Sequence, residues 1–369
     1  MKFKNLPLTC MLLVSVFMYT DSQAQNITTP RVPSPAAKVS QTVGISTVTV
    51  KYSRPSVRDR EIWGNIVPFG YNNLGFGTAT AAPWRAGANE NTVIIFSDDA
   101  KIEGQDLKAG TYGLHIAVKE NNEATIIFSN NSSSWGSFFY DEGEDALRVD
   151  VSTEEIPMTE VLTYDFIDLD KNSTTAVLDW EKKRFPFKVS FDTDQLVIAN
   201  AKDELRGTTG FSWQGALSAA NYCLQNNVNL DQGLAWADQS LQQSRNFQTI
   251  SVKAGLLKQK DPNADVTALF DEAAKIANIN QLNALGYQLM LQHNEVNKAI
   301  EYFKMNVERN PTDANVHDSL GEAYKTAGMD KLAIKSLKKS LSLNPPPNVK
   351  ANSLKLLKEL GVEDYAEAN

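Results

Sequence analysis

The sequence predicts a multidomain protein in which an all-β antiparallel sandwich is followed by an all-α helical solenoid. Three observations carry that expectation. Between about residues 35 and 193, short segments of alternating apolar and polar residues are separated by turn-forming residues, with no helical period between them. From about Phe211 the apolar spacing changes to the helical period of about 3.6 residues. Within that second part Leu285-Gly286, Ala299, Phe303 and Pro311 recur as Leu320-Gly321, Ala333, Leu337 and Pro345.

The totals agree with two folded domains. A chain of 369 residues exceeds one ordinary core, and 42% hydrophobic with 22% charged residues is the composition of a globular protein. The net charge of -8 comes with no basic stripe, so no nucleic acid is expected as a partner.

Residues 1–24 read as a signal peptide. Lys2 and Lys4 precede the apolar run Leu8 to Tyr19, and Ser22-Gln23-Ala24 offers a small-x-small cleavage site before Gln25. The run is too short to span a bilayer and is closed by Asp21 and Ser22, so no transmembrane anchor is expected after processing. The expected location is exported, either periplasmic or extracellular. Cleavage removes Cys10 and leaves Cys223 as the remaining thiol, so the mature chain folds without an internal disulfide. Residues 25–34 form a Pro-rich leader with the extended character of such segments.

In the β part, Val48, Val50 and Tyr52 alternate with Thr47, Thr49 and Lys51, the period of a half-buried strand. Further strands are expected at Thr92 to Ser97, Tyr112 to Lys119, Ala124 to Ser129, Leu147 to Ser152, Leu162 to Asp168, Thr175 to Glu181 and Phe187 to Phe191. Short connections between them force antiparallel pairing, which makes residues 35–193 a sandwich. Its expected core is Val48, Val50, Ile94, Phe96, Leu114, Ile116, Ile127, Val149, Phe166, Leu178 and Val189.

An ordered set of motifs then runs through this part. Tyr52-Ser53-Arg54-Pro55-Ser56-Val57 is followed by Ile62-Trp63-Gly64, Val67-Pro68-Phe69-Gly70, Trp84-Arg85-Ala86-Gly87-Ala88-Asn89-Glu90, Leu107-Lys108-Ala109-Gly110-Thr111-Tyr112 and Asp179-Trp180-Glu181. In this order they resemble the secreted bacterial domain-of-unknown-function family twenty-nine-eleven. The resemblance implies an exported sandwich-like domain and brings no assigned activity. In that family the Pro-aromatic-Gly piece runs almost directly into the Trp-Arg piece, so Tyr71 to Pro83 reads as an insertion.

After a linker at residues 194–210, residues 211–347 resemble tetratricopeptide repeats, on the spacing of about 34 residues and the small residues where helices cross. Two weaker copies precede the two clear ones. Trp213 to Cys223 and Thr249 to Gln259 fit first helices, and Gly233 to Leu241 and Ala268 to Ile276 fit second helices, giving about four pairs. Residues 348–369 supply a capping helix and tail, which a solenoid needs over its last apolar face. The resemblance implies a concave surface for a protein or peptide partner, with Asn283, Tyr287, Asp318, Glu322 and Lys325 as the expected inward positions.

Catalytic patterns are absent from the sequence. His115, His293 and His317 lie far apart, with no HExxH pair and no Cys/His cluster, so neither a metal nor another cofactor is expected. His115 alternates with Leu114 and Ile116 and reads as a sheet-face residue with a local hydrogen bond. Asp168 to Ser173 imitates the opening of a calcium loop but lacks its glycine and reads as a hairpin turn. What remains is the loop from Pro68 to Thr92, where Trp84, Arg85, Asn89 and Glu90 combine an aromatic face with directional polar groups, the composition of a ligand site. A structural role competes with that one, in which Arg85 pairs with Glu90 or an Asp, Trp84 plugs the sandwich end and Asn89 caps a turn. The expected function is an exported non-catalytic binding scaffold, with the sandwich holding a glycan or peptide and the repeats holding a protein. A carboxylate-dependent hydrolase in the sandwich is the alternative, with Glu90 needing a second carboxylate about 5 Å away, Asp141 or Glu142.

Overall fold

The computed structural model describes residues 33–362. The expected signal peptide, most of the expected leader and the end of the tail lie outside the described residues. The chain divides into two compact units, one ending at Phe191 and the other beginning at Asp192.

The first unit is a pair of antiparallel sheets. A six-stranded sheet has the order β1-β2-β3-β6-β7-β8, built from Ala36–Val43, Ser46–Ser53, Val93–Phe96, Gly110–Val118, Glu123–Ser129 and Asp145–Ser152. A four-stranded sheet has the order β5-β4-β10-β9, with Gln105–Leu107, Ala100–Ile102, Ser173–Phe191 and Glu154–Ile167. The inner faces meet through aromatic contacts. Tyr52 stands edge-on to Tyr164 at 4.7 Å, and Phe128 to Phe187 at 5.9 Å.

Ten of the eleven expected core residues are buried. The exception is Phe166, which is half-buried because it lies one residue from the end of β9; Leu162 and Tyr164 fill the inward positions of that strand instead. The two strands expected at 175–181 and 187–191 are one strand, β10. Lys183 and Arg184, which looked like a break, pair with Glu155 and Glu154 of β9 across two register shifts, and Glu181 takes a left-handed backbone with φ of 57° to absorb them.

Strand β6 is buried on both faces from Tyr112 to Val118. One face meets the other sheet. The second lies under the segment that the sequence marks as an insertion, whose Ala79 and Ala82 pack with Ala117, Ile127 and Tyr140. Residues 70–92 run along β6 where β3 stops: Gly70, Trp84 and Thr92 each bond its backbone.

In the second unit the expected linker is largely helical. α1, Thr193–Glu204, starts at an Asp192 cap and packs Ile198 among Ala219, Ala220, Cys223 and Trp236. Four helix pairs follow: α2 Trp213–Asn226 with α3 Leu230–Gln243, α4 Phe247–Lys260 with α5 Thr267–Ile276, α6 Ile279–Tyr287 with α7 Val296–Arg309, and α8 Ala314–Thr326 with α9 Asp330–Ser342. α10, Pro347–Glu359, closes the array by laying Leu356 and Leu357 on Leu337. The repeated glycines have a steric cause. A Cβ on Gly286 would come within 2.6 Å of the Phe303 ring, and one on Gly321 within 2.7 Å of Leu337.

Candidate functional site

The geometry of the first site begins with backbone. Trp84 exchanges two hydrogen bonds with Ile116 of β6, at 3.0 and 2.8 Å, so the sheet sets the direction of its ring. That ring stacks on Trp180 at 5.8 Å with 19° between planes, and Trp63 stands edge-on to both. The loop beyond it is tied down by Tyr164, whose hydroxyl donates to the Ala86 carbonyl at 2.9 Å.

Arg85 is held differently from either sequence expectation. Its Nη1 donates to the Asn89 carbonyl at 2.5 Å, and the guanidinium lies over the Phe138 ring at 4.8 Å. No carboxylate among the described residues pairs with it. Burial without a counter-charge lowers its pKa. The fit depends on Gly136, which has φ of 61° and whose added Cβ would come within 2.3 Å of the Arg85 Cζ.

Trp84 and Arg85 line one cavity of about 320 Å³, together with Trp180, Ser137, Asn72, Arg58 and Arg60. The other two expected residues are not in it. Asn89 has φ of 62° and turns its Nδ2 to the Ser34 carbonyl, while Glu90 lines a separate depression with Lys51 and Asn91. The left-handed backbone at Ala86 and Asn89 separates them by twisting the chain between the two pairs. No carboxylate among the described residues lines the cavity. Asp141 accepts from the Gly143 amide, and Glu142 from Arg148.

His115 reaches this cavity through Ser137. Its Nδ1 lies 2.8 Å from the Ser137 Oγ, the local hydrogen bond expected of a sheet-face histidine. Burial, with the nearby Arg85 charge adding to it, lowers its pKa to about 4, so the ring is neutral at ordinary pH.

Arg58, Arg60, Ser137 and Trp180 were not singled out from the sequence. A signal was present for three of them. Trp180 lies in the Asp-Trp-Glu motif, and Arg58 and Arg60 directly follow the Tyr-Ser-Arg-Pro-Ser-Val motif. Nothing in the sequence points to Ser137, which lies in the connection between β7 and β8.

In the helical unit the five expected inward residues are mostly engaged with one another's helices. The Tyr287 hydroxyl donates to Glu322 at 2.8 Å and lies 3.3 Å from the Ser319 hydroxyl. Asp318 is buried and accepts from Asn352 and Ser353 of the capping helix. Lys325 pairs with Glu359 at 2.6 Å. Asn283 is half-buried, and its Oδ1 has no hydrogen-bond partner. These residues form a polar ladder between successive first helices, which satisfies buried donors and acceptors where the helices stack.

The open groove lies nearer the start of the array. It is about 780 Å³ and is lined along α2, α4 and α6 by Asn221, Gln225, Gln259, Gln288, Gln292 and His293 among others. α6 widens into a π turn over Gln288–Gln292, which places both glutamines on this face. Lys258, the cation in the groove, is paired with Glu295 at 3.2 Å.

The Asp318 ladder gives a direct prediction. Asp318→Ala is expected to lower stability by about 1–3 kcal/mol, because it orphans two donors of the capping helix. Burial raises the pKa of this carboxylate, so Asp318→Asn should cost clearly less. Urea denaturation of both variants measures the difference, and early proteolysis near residue 350 would locate the fraying.

An antiparallel two-sheet sandwich joined to stacked helix pairs defines a β-sandwich protein with tetratricopeptide-like repeats. Its sandwich is similar to one family: residues 34–189 match the model described as "Protein of unknown function (DUF2911)", which agrees with the motif order. Solved structures similar to the chain include a MamA structure labelled MSR-1, 20% identical with TM-score 0.29, covering 41% of this chain and 93% of that one. Another is YrrB, described as a TPR protein with an unusual peptide-binding site, 17% identical with TM-score 0.30, covering 44% and 84%. A third is MamA from Desulfovibrio magneticus RS-1, 15% identical with TM-score 0.30, covering 42% and 88%. No curated protein matches the chain. Among the described residues no helix is long and apolar enough to cross a membrane.

Proposed function

We propose that the protein is an exported, non-catalytic binding scaffold whose helical repeats hold an extended peptide segment of a protein partner. The observation that carries this reading is the groove along α2, α4 and α6, whose reach into solvent is dominated by carboxamides rather than charges. Each Asn or Gln side chain offers donors and an acceptor in the same plane, which matches the alternating N–H and C=O groups of an extended backbone. The sandwich cavity serves as a second site for a small ligand, of which a sugar unit is the best match to about 320 Å³ beside the Trp84 ring. The carboxylate-dependent hydrolase gains no support, since the cavity lining contains no carboxylate among the described residues.

The test is selection of peptides from a random library on the full chain, followed by titration. Peptides bound in the groove should lose about tenfold or more in affinity when Asn221 and Gln288 are both replaced by alanine, at about 1 kcal/mol for each lost hydrogen bond. Selected peptides that bind the double variant equally well would place the partner elsewhere and remove the basis of the proposal. For the export step, the N-terminus of protein recovered from the periplasm or medium should read Gln25, and retention of an intact chain in the cytoplasm would overturn it.

A further inference from the structure

We propose that the sandwich cavity is an oxyanion site: its ligand carries a carboxylate or a phosphate ester on a sugar-sized body. This rests on the reading above that the cavity takes a small ligand, and it adds the charge. Three arginines, Arg58, Arg60 and Arg85, line a space of about 320 Å³ whose wall has no carboxylate among the described residues. None of the three has an ion-pair partner among the described residues. Of the other arginines in this domain, Arg54 is spent on the Leu162 carbonyl and the Thr163 hydroxyl, and two are ion-paired. Arg148 is paired with Asp145 and Glu142, and Arg184 makes a two-pronged contact with Asp179. Three arginines gathered with no carboxylate beside them give the cavity a local positive field in an otherwise acidic chain.

Two of the three cations, Arg60 and Arg85, are also held ready. Arg60 donates Nε to the Val57 carbonyl at 3.0 Å and Nη2 to the Ser56 carbonyl at 2.6 Å, which fixes the plane of its fork. Arg85 uses Nη1 on Asn89 and rests on Phe138, so its position is set by packing. Arg58 has φ of 52°, and Glu160 accepts from its backbone N–H rather than from its guanidinium. A guanidinium has five donors in a rigid fork, and those left over here match the oxygens of a carboxylate or phosphate. Ser137, oriented by neutral His115, adds a hydroxyl to the wall, and Trp84 supplies the flat face for the body of the ligand.

Isothermal titration of the full chain with D-glucuronate, D-glucose 6-phosphate and D-glucose tests this and separates the two anion chemistries. At least one of the two anions should bind at least tenfold more tightly than glucose, and added salt should weaken that binding. Arg58→Gln, at an exposed side chain, should lower the affinity several-fold with an unchanged melting curve, and Arg60→Gln should lower it likewise with only the small melting shift that its two lost carbonyl bonds bring. Arg85→Gln should abolish binding, and its melting curve shows whether lost packing contributes. Glucose binding as well as the anions, or anion binding indifferent to Arg58 and Arg60, would overturn the oxyanion assignment and leave the small-ligand reading standing. Silence from all three probes would overturn both.

Discussion

Replacing Trp180 by alanine is expected to destabilise the protein by about 3–5 kcal/mol, the usual range for deleting a large buried aromatic ring. Trp180 is 1% exposed and is in ring contact with both Trp84 and Trp63. Its loss leaves a void beneath the cavity into which Trp84 can fall, so the variant should also lose any ligand that lies on Trp84. Trp180→Phe should be much milder, at about 1–2 kcal/mol. The reason is that Trp180 Nε1 is buried with no hydrogen-bond partner, and the phenylalanine removes that orphan donor along with part of the ring. Urea denaturation followed by circular dichroism measures both. An alanine variant within about 1 kcal/mol of the parent would mean that the aromatic column contributes little to the fold.

The second large effect is a loss of stability in mild acid that depends on His115. Its folded pKa is lowered to about 4, below the ordinary value of 6.5, chiefly by burial and then by Arg85. The unfolded chain therefore binds a proton at this site between those two values while the folded one does not, so stability rises with pH through that window. On lowering the pH from about 6.5 to 4, the expected loss is about 3 kcal/mol from this group, at about 1.4 kcal/mol per pKa unit. Below that, the folded state also protonates and the loss levels off. His115→Gln keeps a hydrogen-bonding side chain near Ser137 without a titrating group, and should flatten this part of the stability profile. A profile with the same slope in the variant would assign the acid sensitivity to other groups.

The fold was legible in the sequence wherever one face of an element is buried and the other is not. The alternation at Thr47 to Tyr52 and the recurrence of Leu-Gly at 285 and 320 are direct imprints of burial, and the strands and helix pairs follow them. Elements with no such imprint were missed. β1 alternates between exposed and half-buried residues, and β4 and β5 are three residues each. The helix α1 within the expected linker was not anticipated because its apolar residues are few and cover only one small patch of α2 and α3.

The candidate site was half legible. Trp84 and Arg85 could be picked out as an aromatic beside a cation in a loop, and they do share a cavity. Asn89 and Glu90 could not be separated from them in sequence, because two left-handed residues decide where each side chain goes, and a string of neighbours carries no such direction. The five positions chosen on the repeats illustrate the same limit. Helical spacing puts Tyr287 and Asp318 on an inward face, but whether such a face is open or filled depends on the next helix, which here contributes Glu322 and Ser353.

By itself the sequence determined the two architectures, their order, and the loop in which a ligand site would sit, because periodicity and motif order are properties of neighbouring residues. Tertiary structure alone decided which side chains gather there. Arg58, Arg60 and Arg85 become one feature only when the loop after β2 and the loop along β6 meet over Trp180, and Ser137 joins them only because His115 faces outward beneath the inserted segment. Convergence of groups far apart in the chain is set by packing, and packing is what a linear pattern does not record.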